Sequence, residues 1–188
     1  RYMDAIMSKT ALISVTGEDR LGLISELAAR IFDLGGDLGD TTFAVLGSGF
    51  EFSAVVEFPD QSVLDDIGLE LRTLPLLSEA TFDIQPFRYD TAHGDSGRIT
   101  HRIRISGGDQ PGLVARLSEV FVNFDANVVR MNCESTEGQG GQSNYITRFA
   151  VSIPAERAAA CLAAVGNTAG QLELTCTWDE AWEARNKN

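Results

Sequence analysis

The sequence predicts an α+β fold used twice, each half a single antiparallel sheet with its helices on one face. Three observations carry this reading. First, a block recurs at a fixed distance: Gly17, Asp19, Gly22 and Leu27 return as Gly107, Asp109, Gly112 and Leu117, each 90 positions on. Second, each block passes from a β-prone run into a helical pattern within a few residues. Third, both halves later hold a run of period-two alternation, Phe50, Phe52, Ala54, Val56 and Phe58 in one and Tyr145, Thr147, Phe149, Val151 and Ile153 in the other.

Each element can be justified in chain order. Residues 11–16 and 102–106 are β-prone, the latter alternating arginine with isoleucine. Ile24, Leu27, Ala28 and Ile31 then fall on one helical stripe, as do Val114, Leu117, Phe121 and Phe124. Two strands follow in each half, joined by residues 47–49 in the first and by the Gly-rich segment STEGQGGQSN (135–144) in the second. Pro154 lies 95 positions after Pro59, so five residues have entered the second copy, most simply in that segment. Pro59 and Pro154 open second helical stretches, because proline lacks an N–H that a helix start leaves unpaired anyway. Phe82 and Ile84 suggest a last strand in the first half; Leu172, Leu174, Cys176 and Trp178 suggest one in the second. The order is βαββαβ, repeated: the ferredoxin-like arrangement. The predicted division is domain 1 at 9–87, a polar linker at 88–98, domain 2 at 99–178 and a polar tail at 179–188. Bare sheet faces and exposed edges favour pairing, so a homodimer is expected.

Composition bounds the function. The 188 residues carry 44% hydrophobic and 22% charged side chains, as globular proteins do. No apolar run approaches the roughly 18–20 residues that span a bilayer, and no signal-peptide pattern is visible, which points to the cytoplasm. Three cysteines without C-x-x-C spacing argue against disulfides and zinc and for buried free thiols. Lys and Arg total 15 against 27 acids, a net charge of −12. With no linear Lys/Arg cluster, direct nucleic-acid binding is disfavoured. The GQGG stretch (138–141) lacks the Lys-Ser/Thr of a phosphate loop and reads as a hairpin turn. His93 and His101 have no paired carboxylate or cysteine in sequence and read as surface residues. Trp182 in the tail could dock as part of a short helix or mark a contact. No nucleophile–base pattern suggests catalysis, and no cofactor is implied.

The segments VTGEDRLGLISELAARIFDLGGDL and ISGGDQPGLVARLSEVFVNFDANV carry the informative chemistry. Asp19 and Asp109 can cap the helices that follow or accept bonds from an ammonium group. Gly22 and Gly112 sit at the helix start, where they either allow close helix–sheet packing or let a ligand approach the backbone. A helix N-terminus suits a carboxylate. Both segments resemble the opening of ACT domains, small regulatory modules that bind amino acids. A tandem pair filling residues 9–85 and 99–178 is similar to the glycine cleavage system transcriptional repressor group. That resemblance implies a non-catalytic regulator that senses an amino acid, glycine by analogy, and acts through a protein partner such as a transcription regulator. The site residues it implies are Asp19, Arg20, Leu21, Gly22 and Leu23, completed by Asp37 and Leu38; in the second copy they are Asp109, Gln110, Pro111, Gly112 and Leu113, completed by Asn127 and Val128. A neighbouring copy would close each pocket. Asn127 can donate and accept whereas Asp37 would repel a carboxylate, so the second copy is expected to hold the better pocket. The alternative is a ligand-free module that only oligomerises.

Overall fold

The computed structural model describes residues 9–108, 111–137 and 140–181. They form two compact units that divide between Thr91 and Ala92. The first contains β1 (Lys9–Glu18), α1 (Leu23–Asp33), β2 (Asp37–Leu46), β3 (Gly49–Phe58), α2 (Gln61–Arg72) and β4 (Thr81–Pro86). The second contains β5 (His101–Gly108), α3 (Leu113–Asn123), β6 (Asn127–Glu137), β7 (Ser143–Ser152), α4 (Ala158–Gln171) and β8 (Thr175–Glu180). The sheet orders are β2-β3-β1-β4 and β6-β7-β5-β8, antiparallel throughout. This is the ferredoxin-like βαββαβ fold, twice. Among the described residues no helix is long and apolar enough to cross a membrane.

Register confirms where the extra residues entered. Val15 faces Phe52 and Ile105 faces Thr147, while Phe43 faces Phe52 and Cys133 faces Thr147. β2 and β6 therefore correspond at the original offset and β3 and β7 at the longer one, with the insertion in the β6–β7 hairpin. Gly140 and Gly141 in that hairpin both have positive φ.

One face of each sheet is covered by its two helices. Ile13, Val15, Leu27, Ile31, Phe52 and Phe58 are buried in the first core; Ile103, Ile105, Leu117, Phe121, Phe149 and Val165 are buried in the second. Each such side chain contributes roughly 1.5–3 kcal/mol on burial. Phe121 meets Phe149 edge-on at 5.3 Å.

Three expectations are corrected. The buried stripe of α1 is Leu23, Leu27 and Ile31, whereas Ile24 is 47% exposed, because the helix starts at Leu23 and the i, i+4, i+8 row faces the sheet. Pro154 precedes a 3-10 turn over Ala155–Arg157, and α4 begins only at Ala158. Leu172 and Leu174 precede the last strand, Leu172 at the helix C-cap and Leu174 in the core. β8 also runs past 178 to Glu180, and the buried Ala181 donates its N–H to Thr100 O at 2.7 Å. Residues 182–188, including Trp182, lie outside the described residues.

Candidate functional site

The two β-to-helix junctions share one geometry. Gly22 and Gly112 are the N-cap residues of α1 and α3, with φ of 94° and 80°. Their carbonyls accept the first intrahelical bonds, from Glu26 N and Arg116 N, both at 3.0 Å. No side chain caps either helix. The expectation of Asp19 as an N-cap is therefore corrected: its side chain does not cap α1, and its backbone N–H donates to Ser48 O at 2.9 Å. Asp109 and Gln110 lie outside the described residues. Close packing does not explain the glycines either. A Cβ at Gly22 would meet only Leu76, at an ordinary 3.6 Å, and one at Gly112 would meet nothing within 4 Å. The left-handed backbone is what demands glycine. An αL cap without a side chain leaves the first-turn amides of Leu113, Val114 and Ala115 without side-chain competition for an incoming acceptor.

Beneath these junctions the units differ. In the second, a cavity of about 250 Å³ is lined by Gly107, Gly112, Leu113, Cys133, Tyr145 and Thr147 among others. At the corresponding positions of the first unit, Cys133, Tyr145 and Thr147 are replaced by Phe43, Phe50 and Phe52. Phe43 and Phe50 stack with centroids 6.0 Å apart, and Phe52 is only 1% exposed. Three phenyl rings thus fill the space that the second unit leaves open. The first unit does have a groove of about 430 Å³ along Asp19, Arg20, Leu21, Gly22 and Leu23, reaching Phe43. It is larger, and its lining includes Leu21, 99% exposed, and the buried Leu23.

Charge points the same way. The first turn of α1 carries Glu26, and α3 has Arg116 at the matching position. A carboxylate at these helix ends meets repulsion in the first unit and attraction in the second. Among the residues lining the second cavity, Thr147 Oγ1 lies 3.5 Å from Cys133 Sγ.

The residues expected to complete each pocket are not beside it in their own unit. Asn127 pairs with Ser152 and Val128 with Val151, at the end of the sheet where His101 begins β5, whereas Gly107 and Gly108 lie at the other end beside Tyr145 and Asn144. Asp37 and Leu38 occupy the equivalent far end of the first sheet. Asn127 already donates from Nδ2 to Ser96 O at 2.8 Å.

Other expectations change with the fold. His101 is buried, with Nδ1 2.8 Å from Thr100 Oγ1 and its ring edge-on to Trp178 at 5.8 Å. Burial lowers its pKa, and Glu180 opposes that shift. Of the three thiols expected to be buried, Cys161 is, Cys176 is half-buried and Cys133 is exposed. Burial raises the pKa of Cys161, with Arg157 pulling the other way, and raises that of Cys176. The arginine cluster absent from the linear sequence is assembled by the second sheet, whose helix-free face presents Arg102, Arg104, Arg130 and Arg148. Among the described residues no group of three or more His, Cys, Asp or Glu could hold a metal ion.

The ACT-domain family model matches residues 9–84. No curated protein sequence matches this chain significantly. Among solved structures, a protein of unknown identity from Galdieria sulphuraria superposes with a TM-score of 0.70 at 17% identity, covering 93% of this chain and 99% of its own. A protein provisionally assigned as a glycine cleavage system transcriptional repressor superposes with a TM-score of 0.66 at 12% identity, covering 93% of this chain and 98% of its own. At such identities the likeness is one of fold, and it extends through both units. The family match lies within the first unit, and the second unit repeats the same βαββαβ fold.

Proposed function

We propose that this chain is a non-catalytic regulator that binds an amino acid in its second unit and passes the signal to a protein partner. The observation that carries the reading is the uncapped αL start of α3 above an open cavity, where the first unit has phenylalanines. The ligand carboxylate would take the first-turn amides of Leu113, Val114 and Ala115, with Arg116 nearby. The ammonium would go to Asp109, with Gln110 and Pro111 shaping the entrance. The volume, on the order of eight water molecules, suits a small amino acid. Glycine, the ligand suggested by the resemblance, is the first to test. Asp37, Leu38, Asn127 and Val128 would close a pocket only by reaching it from a neighbouring copy. The partner would be a transcription regulator or another protein, since the net charge of −12 opposes polyanion binding. Ligand binding that favours one packing of copies over another is the coupling such regulation requires.

The test is a thermal-shift screen of the twenty amino acids. Binding to the folded state at a hundredfold excess over Kd stabilises by about 2.7 kcal/mol. A shift from one or two amino acids, lost in Asp109→Ala and retained in Asp19→Ala, is the expected result. A second reading, a ligand-free interaction module, draws on the first unit, where the fold is kept with its interior closed. Stable self-association without any thermal response would favour it.

A further inference from the structure

The two helix-free sheet faces carry opposite charge. On the second sheet, Arg104 lies directly across from Arg148, and Arg102 and Arg130 flank the same Ala150. Like charges opposite one another across strands are destabilising on their own. Arg148 is paired with Glu134 at 2.8 Å and Asp179 lies across from Arg102, so four arginines outnumber two acids on this face; among the described residues Arg102, Arg104 and Arg130 make no ion pair within 4 Å. The first sheet mirrors this in the opposite sign. Asp37 lies directly across from Glu57, and Glu51 and Asp83 share the face, which holds no Lys or Arg. Ser14 and Ser53 replace the Arg104–Arg148 pair, with Asp83 across from Ser14 and Glu51 accepting from Ser53 Oγ at 3.4 Å. Each face also has a modest apolar centre, Leu12 against Val55 in one and Ala150 with Ile146 in the other.

We propose that the arginine face of the second sheet docks onto the acidic face of the first sheet of a second copy of this chain. Two chains paired head to tail would make this contact twice and close a twofold dimer. Four strands about 4.8 Å apart and about six residues long present about 400 Å² per face, so four faces bury about 1,600 Å², the size of a specific interface. Each sheet's like-charge pair would be answered by the other's. A single-stranded nucleic acid is the less suitable occupant, because the face offers no aromatic side chain on which bases could stack.

The experiment is sedimentation equilibrium of the full chain with two charge-reversed variants. Arg102→Glu/Arg104→Glu makes both faces acidic, and Glu51→Arg/Glu57→Arg/Asp83→Arg makes both basic. Wild type should be dimeric at tens of micromolar in low salt, with a Kd at least tenfold weaker in 0.5 M NaCl. Each variant alone should be monomeric, and an equimolar mixture should recover the dimer. Far-UV circular dichroism checks folding; should either reversal unfold, Arg102→Gln/Arg104→Gln replaces it with the same loss expected. A monomeric wild type, dimerisation untouched by the reversals, or a mixture that stays monomeric would overturn the proposal. So would a monomer that shifts a single-stranded oligonucleotide, which would assign the face to a polyanion.

Discussion

The αL start of α3 can be tested by making one substitution at two glycines of the same unit. Gly112 has φ of 80°, and a Cβ there meets nothing within 4 Å. Gly166 lies inside α4, and a Cβ there also meets nothing within 4 Å. Neither alanine would clash, so the difference lies in the backbone. Alanine in the left-handed region costs about 1–2 kcal/mol, and lowering the entropy of the unfolded chain returns only part of it. Gly112→Ala should therefore destabilise by about 1 kcal/mol. In the helix interior alanine is favoured by roughly 0.5–1 kcal/mol, so Gly166→Ala should stabilise. Both tryptophans, Trp178 and Trp182, belong to the second half of the chain, so their fluorescence in a thermal melt reports on the unit concerned. At about 4–8 °C per kcal/mol for a unit of this size, the midpoints should move apart by about 6–16 °C. Equal shifts of the same sign would refute the assignment of Gly112 to a conformational role and leave ligand approach as its only reason.

Filling the second cavity by Thr147→Phe, the residue at the matching position of the first unit, should abolish any amino-acid thermal shift while keeping the midpoint within a few degrees of wild type; scanning calorimetry with and without ligand checks it. His101 has a lowered pKa in the fold, so the unfolded state binds the proton more readily, and its contribution is present above about 6.5 and lost as pH falls below it. Urea midpoints from pH 7.5 to 5 should decline, and less steeply in His101→Phe. Thiol labelling under native conditions should modify Cys133 first, Cys176 more slowly and Cys161 last, since the latter two are shielded and their burial raises the thiol pKa; mass spectrometry of quenched samples gives the order.

What could be read from the sequence was what is periodic or local. The repeat offset, the alternation through Phe50–Phe58 and the helical rows survive in the structure because each depends on spacing along the chain. What escaped depends on pairing across strands or on a backbone angle. The Arg104–Arg148 pair joins residues 44 positions apart, and no linear window shows it. His101 reads as polar and exposed until β8 brings Trp178 beside it. The helix starts misled because a small acidic residue before an apolar row resembles a cap, while a left-handed glycine performs that task without a side chain. The phenylalanine filling was present in the alignment of the two copies: Phe43, Phe50 and Phe52 against Cys133, Tyr145 and Thr147. Only the register showed that these three positions converge on one place.

That divergence also bears on how the chain reaches its native state. Two tandem copies of one topology invite exchange of equivalent strands during folding, a characteristic failure of repeat proteins. Here the interiors discourage the swap. β7 in the place of β3 would set Thr147 where the first core holds Phe52, leaving a void of phenyl size that costs about 3 kcal/mol or more. It would also bring Arg148 into the place of Ser53, opposite Ser14 and with Glu134 left behind. The differences that separate a filled unit from a hollow one thus also act as an address on each strand, steering it to its own sheet as the chain emerges.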